Sequence, residues 1–213
     1  MLQLRHQLLS TDYNKRLEFA EDQLCIAEVN PDFINKIMFT DEAHFCQHGG
    51  VNRYNYRYYS ESNPNWRDEK PLHSPKLTVW AGIGKLGILG PYFFDGTVNS
   101  LRYMEVIEEV IEPALETEQF RDMILMQDGA PPHWAVEIRE KLNEIFPEKW
   151  IGRDSPTYPW PPRSPDLTAC DYFLWGYVKS KVYATPIRDL VHLKHRIIEE
   201  FERLDPDIIA KCC

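Results

Sequence analysis

The sequence predicts a mixed α/β fold, a sheet of roughly five strands flanked by helices. Three observations carry that expectation. Apolar runs of strand type crowd the stretch from Ile37 to Phe94 with no long helical pattern among them. From about Asn99 the spacing switches to the helical period, interrupted by short apolar strands. Glycine and proline punctuate the switches, as turns require. Hairpins placed ahead of alternating helices and strands separate the chain from doubly wound folds.

The elements follow in order. Ser10, Thr11 or Asp12 can cap a helix in which Leu17, Ala20, Leu24 and Ala27 recur at helical spacing, ending before Asn30-Pro31. A strand runs from Ile37 to Phe45, and His48-Gly49-Gly50 turns the chain into a second, Val51 to Tyr59, with Tyr54, Tyr56 and Tyr58 on one face. A polar loop to Pro75 leads to a buried strand, Leu77 to Ile83, a turn at Gly84 to Gly87, and a strand from Ile88 to Phe94. Asn99 or Ser100 can cap a helix carrying Tyr103, Val106, Ile107, Val110 and Ile111, bent or ended by Pro113. Met123 to Asp128 reads as a short strand, and Pro132 opens a helix lined by Trp134, Ile138, Leu142, Ile145 and Phe146. After a brief strand at Trp150-Ile151-Gly152, the prolines between Ser155 and Pro165 make a stiff irregular loop. Asp171, Leu174, Trp175 and Val178 share a helix face, and Thr185-Pro186 starts a last amphipathic helix through Leu204. Trp80, Trp134 and Trp175 are expected in the core.

With 213 residues, 43% of them hydrophobic, the chain can bury one sizeable core. We divide it into a helical lead segment (1–33), a catalytic-size core (34–184) and a C-terminal helix packed on that core (185–213). A formal net charge of −9 argues against nucleic-acid binding by bulk electrostatics, so any DNA contact must come from local patches. Five cysteines without a paired framework read as reduced thiols of an intracellular protein, and no zinc site is expected. No apolar run approaches the ~20 residues of a membrane span, and no signal peptide opens the chain.

Three carboxylates stand out. Strand alternation puts Asp41 on the face of Ile37, Phe39, Ala43 and Phe45, where an ionised group costs on the order of several kcal/mol unless a cation or donors meet it. Glu42 and His44 point the other way and read as structural. Asp128 ends its strand on the face of Ile124 and Met126, and Asp171 heads a late helix. Each has a plainer reading: a strand-end hydrogen bond for Asp41, a turn before Pro131 for Asp128, a Thr168-x-x-Asp171 capping box for Asp171. Asp166 competes for the third position from within the proline loop. The element order matches a ribonuclease-H-like fold, a five-stranded mixed sheet in which the strand of Asp41 is central and that of Asp128 lies parallel beside it. Hard oxygen ligands without His or Cys suit Mg²⁺ or Mn²⁺, two of which can clamp the attacking and leaving oxygens of a phosphodiester.

The residues also resemble a family. Phe39-Thr40-Asp41-Glu42-Ala43-His44-Phe45, Gln127-Asp128-Gly129-Ala130-Pro131-Pro132-His133 and the stretch from Pro162-Arg163-Ser164-Pro165-Asp166 to Asp171-Tyr172-Phe173-Leu174-Trp175 look like the catalytic blocks of mariner-like transposases, in order. Asn52 to Tyr58 and Lys76 to Trp80 are similar to an insect-type subgroup. The resemblance runs from about Leu17 to the C-terminus. It implies an Asp-Asp-Asp/Glu enzyme with Asp41, Asp128 and Asp171 holding Mg²⁺ or Mn²⁺, and His133 at the family's histidine position. It further implies metal-dependent DNA strand cleavage and strand transfer, element ends and target DNA as partners, a homodimer when complete, no membrane, and a nuclear location. Two departures follow. The family places helix-turn-helix modules ahead of the catalytic domain, so end recognition is expected to be missing here. The spacer of residues 129–170 is longer than in the best-known branch, with extra loop expected at Gly152 to Pro162.

Local basic patches supply candidate DNA contacts. Residues 51–90 carry six basic against three acidic side chains, Arg53 and Arg57 among them, and residues 161–196 the same balance, including Arg163, Lys179 and Lys181. His133 is a further candidate, as a phosphate-orienting group. Two other readings compete: a domesticated remnant working as a DNA- or protein-interaction module, motivated by the acidic charge, and a nuclease of RNA–DNA hybrids.

Overall fold

The computed structural model describes residues 7–49 and 74–213. Helix α1 (Ser10–Val29) and a 3₁₀ turn at Ile34–Lys36 precede β1 (Ile37–Cys46); β2 (Lys76–Gly84) and β3 (Gly87–Phe94) complete an antiparallel set. Next come α2 (Ser100–Val106), a π-helical stretch at Ile107–Ile111, α3 (Glu112–Leu115), β4 (Ile124–Met126), α4 (Val136–Ile145), β5 (Trp150–Gly152) and β6 (Tyr158–Pro159). A second π-helical turn, Cys170–Leu174, runs into α5 (Trp175–Val182), followed by α6 (Leu190–Glu202) and α7 (Pro206–Cys212). The strand expected at Val51 to Tyr59, with Arg53 and Arg57, lies outside the described residues.

The sheet is mixed, in the order β3-β2-β1-β4-β5-β6. β1 is central: antiparallel to β2 on one side and parallel to β4 on the other, as the ribonuclease-H-like order requires. The described residues hold six strands rather than five. The extra one is two residues of the proline loop, where Tyr158 and Pro159 pair in parallel with Ile151 and Gly152. Proline is tolerated there because an edge strand needs ladder bonds on one side only.

Alternation along the strands divides the interior in two. Ile37, Phe39, Ala43 and Phe45 of β1 join Val79, Ala81, Ile83, Ile124 and Met126 against α5, α6 and α7. Met38, Trp80 and Leu125 face the opposite side, where α2 and α4 bring Tyr103, Val106, Ile138 and Leu142. Removing side chains of this size from water contributes about 1.5–3 kcal/mol each, so β1 is anchored by both layers.

Four expectations are revised. The stripe expected to pack α1 faces out: Leu17 and Leu24 are exposed, while Asp12 and Phe19 are the buried residues. Ion pairs, described below, dock the helix by its polar side instead. Trp134 is not core but 38% exposed, because a 3₁₀ turn at Pro132–Trp134 precedes α4 and turns its ring outward. Of the two readings of Pro113, bending or ending its helix, the second is excluded: the preceding π-helical stretch absorbs the missing N–H and α3 continues. The last helix starts not at Pro186 but at Leu190, capped by Asp189, whose side chain accepts from the His192 N–H at 2.7 Å, and α7 is additional.

Candidate active site

β1 is ten residues long, but β4 pairs only with Ile37, Met38 and Phe39. From Thr40 onward one edge of β1 has lost its parallel neighbour, and the Thr40 hydroxyl closes the gap by donating 2.8 Å to the Met126 carbonyl. A crevice at the carboxyl end of parallel strands is where open sheets bind ligands. Asp41 sits there. Burial, the nearby charge of Asp171 and that of Glu42 push its carboxyl up to about 8, against the opposing hydrogen bond from the Trp175 indole N–H, 2.8 Å from Oδ2.

Asp128 follows β4 directly. Its Oδ1 accepts from the Ala130 amide at 2.9 Å and lies 2.7 Å from His133 Nδ1. The other imidazole nitrogen, Nε2, lies 3.2 Å from Glu42 Oε1. Burial alone would drive His133 towards neutrality, but Glu42 and Asp128 on either side raise it to about 10, so the ring is a cation bridging two anions. Burial likewise raises Asp128, yet His133 and the Ala130 amide together outweigh it and hold the carboxylate below its ordinary range. Tyr103 packs on the imidazole with ring centroids 4.2 Å apart, and its hydroxyl donates 2.7 Å to Gln127, whose amide donates in turn to the His133 carbonyl.

Asp171 lies in the π-helical turn before α5, a geometry that re-aims a side chain without unwinding the helix. The Thr168 carbonyl accepts the Asp171 and Tyr172 amides at 3.2 Å each, and Cys170 Sγ donates 3.1 Å to the Phe39 carbonyl, tying the turn to β1. Burial and the charge of Asp128 raise the Asp171 carboxyl, while Lys179 lowers it.

These three acids and Glu42 line one cleft of about 950 Å³. The opposite wall is the proline loop, held by α1. Asp12, almost wholly buried, takes Arg163 Nε and a terminal guanidinium nitrogen at 2.5 Å each. Arg16 holds Asp166 at 2.6 and 3.0 Å and Ser164 at 2.6 Å, and Phe19 meets Trp160 edge to face at 5.6 Å. Asp166, the competitor for the third acid, is thus engaged with α1.

The structure therefore sorts the residues singled out from sequence. Asp41, Asp128 and Asp171 line the same cleft. His133 and Arg163, both candidates for DNA contact, are engaged within the protein: the first is 2% exposed with both nitrogens facing carboxylates, and the second is paired with Asp12. Lys179 lies near Asp41 and Asp171, where burial lowers its ammonium pKa, while Lys181 is exposed on α5 beside Tyr177. Glu42, set aside because it alternates away from Asp41, belongs to the site. Past the end of β4 both faces of β1 open onto the cleft, which alternation alone does not reveal.

Among the described residues no three His, Cys, Asp or Glu side chains are gathered closely enough to cage an ion as they stand. The chemistry of the donors nevertheless fits a hard divalent cation. Asp41 and Asp171 are carboxylates raised by burial and by their neighbours' charge, the condition a cation relieves, and no sulfur ligand lines the cleft.

Comparison with known proteins places this geometry. Residues 36–194 match the family described as DDE superfamily endonuclease. The human histone-lysine N-methyltransferase SETMAR is 26% identical over 185 residues, 82% of this chain and 25% of that protein. Among solved structures, the Mos1 transposase paired-end complex with left transposon end superposes with a TM-score of 0.81 at 20% identity, over 100% of this chain and 61% of that one. The catalytic domain of Mos1 mariner transposase superposes at 0.73 and 19% identity, over 99% of this chain and 90% of that one. The mariner Mos1 paired-end complex with Mg gives 0.82 at 18%, again over 61% of that chain. The chain thus spans a quarter of its curated relative and about three fifths of the fuller Mos1 chains, and its fold is the ribonuclease-H-like one of the Mos1 catalytic domain. With the family match covering most of its length, the chain belongs to the DDE superfamily endonucleases.

Proposed function

We propose that the chain is the catalytic domain of a mariner-like DNA transposase, cutting DNA strands at an element's ends and joining the freed 3′ ends to target DNA. The observation that carries this reading is that Asp41, Asp128 and Asp171, from three separate elements, all line one cleft. Family membership and the Mos1-like fold support it.

Mg²⁺ or Mn²⁺ held by Asp41, Asp128 and Asp171 would supply Lewis acidity at the scissile phosphate and lower the pKa of the attacking oxygen. The chain's own groups prepare that site. His133 keeps Asp128 ionised and fixes its Oδ1, Trp175 holds one oxygen of Asp41, and the turn at Cys170–Leu174 aims Asp171. In the first step water displaces a 3′ oxygen from phosphorus. In the second, the 3′-hydroxyl so released attacks a target phosphodiester, exchanging one such bond for another. The complete protein would act on chromosomal DNA in the nucleus as a homodimer, one subunit for each end.

Nicking of supercoiled DNA in Mg²⁺ or Mn²⁺, lost in Asp171→Ala, tests the reading. No nicking in Mn²⁺, and no joining of pre-cleaved ends, would instead favour an interaction module. Preferential cutting of an RNA–DNA hybrid would favour a ribonuclease.

A further inference from the structure

The geometry points to Arg153 as a DNA-phosphate clamp on the rim of the acid cleft, its guanidinium held in position by the ring of Trp134. The inference rests on the DNA-cutting function proposed above and names a contact for that substrate.

Arg153 lines the cleft just beyond β5, and its stem lies over Gly129, next to Asp128: a Cβ at Gly129 would meet the Arg153 Cβ and Cδ at 3.4 Å. Its Cζ is 3.8 Å from the Trp134 ring centroid, stacked on an indole that is 38% exposed. Trp134 is itself fixed, its N–H donating 2.5 Å to Asp154, which holds a left-handed backbone at φ 57°. That bond occupies the neighbouring carboxylate, and among the described residues no carboxylate is paired with Arg153.

An exposed arginine normally gives up side-chain freedom on meeting a ligand. Here the stack has already removed that freedom, while the guanidinium edge keeps its donors in the plane that suits a phosphate. The need for such a group is electrostatic. Asp41, Glu42, Asp128 and Asp171 line the cleft that a polyanion would enter, and a fixed cation on its rim favours a phosphate backbone there. Arg163, also on the wall, is spent on Asp12.

Fluorescence anisotropy of a nicked DNA duplex, titrated over a range of salt concentrations, tests the clamp. Arg153→Ala is expected to weaken binding about five- to tenfold and to reduce the salt slope by about one released counter-ion. Lys149→Ala removes a half-exposed cation, paired with Asp122, from the opposite end of β5, and should change neither quantity. Trp134→Leu keeps the charge but frees it, so affinity should fall about two- to threefold with the slope unchanged. Thermal melting of each variant checks that the fold persists. If Arg153→Ala binds no worse than Lys149→Ala while the parent chain binds and cuts DNA, the clamp is overturned and the function stands. An unaffected Trp134→Leu overturns the role of the ring. Failure of the parent chain to bind DNA at all overturns both proposals.

Discussion

His133 Nδ1 lies 2.7 Å from Asp128 Oδ1. With Glu42 on the other nitrogen, one buried ring joins carboxylates from two strands that diverge at this point. His133→Ala would leave both acids facing each other without their cation. We expect a loss of about 2–3 kcal/mol in urea denaturation, below the range for a fully buried pair because Asp128 is partly exposed. Glu42→Gln keeps an acceptor and should cost about 1 kcal/mol. Strand cleavage should fall in both.

Asp41 ties stability to pH. Its carboxyl titrates near 4 in the unfolded chain and at about 8 in the folded one. The folded state therefore holds the extra proton between those values, and stability contributed by this group declines as pH rises through that window, fully lost above about 8. The melting temperature of the metal-free chain should fall from pH 6 to pH 8, and Asp41→Asn should flatten that decline. A steeper decline in Asp41→Asn would refute the assignment. Mg²⁺ should restore the melting temperature of the parent chain at pH 8, not that of the variant.

Trp175→Phe removes the indole donor from Asp41 while keeping an aromatic ring in the core. Groups that orient a metal ligand contribute about 10–100-fold in affinity or activity. Calorimetric titration with Mn²⁺ should show a loss near the lower end of that range, with little change in melting temperature. An unchanged affinity would mean that Asp41 does not take part in holding the ion.

The Asp12–Arg163 pair can be tested by a double-mutant cycle. Arg163→Ala strands a buried carboxylate that the arginine now keeps ionised, so amide exchange across α1 should accelerate roughly tenfold or more. Asp12→Ala combined with Arg163→Ala should do less damage than the two single effects added together. Strict additivity would show that the helix is held by its other contacts.

Much of the sheet was legible because β1, β2 and β3 are long and their alternation is strong. The three acids were legible because motif order and element order agreed. What escaped was decided by where elements end. Glu42 was misassigned because nothing local shows that β4 stops beside Phe39, leaving both faces of β1 open. The docking face of α1 was misread because its apolar stripe, Leu17 and Leu24, is more conspicuous than Asp12 and Arg16, whose partners lie about 150 positions away. Trp134 looked like a core residue until a 3₁₀ turn set it on the rim.

The family match begins at residue 36, after α1 has ended, yet α1 holds the loop that forms one wall of the cleft. A fragment cut at the start of the family match would keep every acid but lose the helix that braces the opposite wall, leaving Arg163 without Asp12. The practical unit of this enzyme is therefore larger than its recognisable one, and expression boundaries should be set ahead of Ser10.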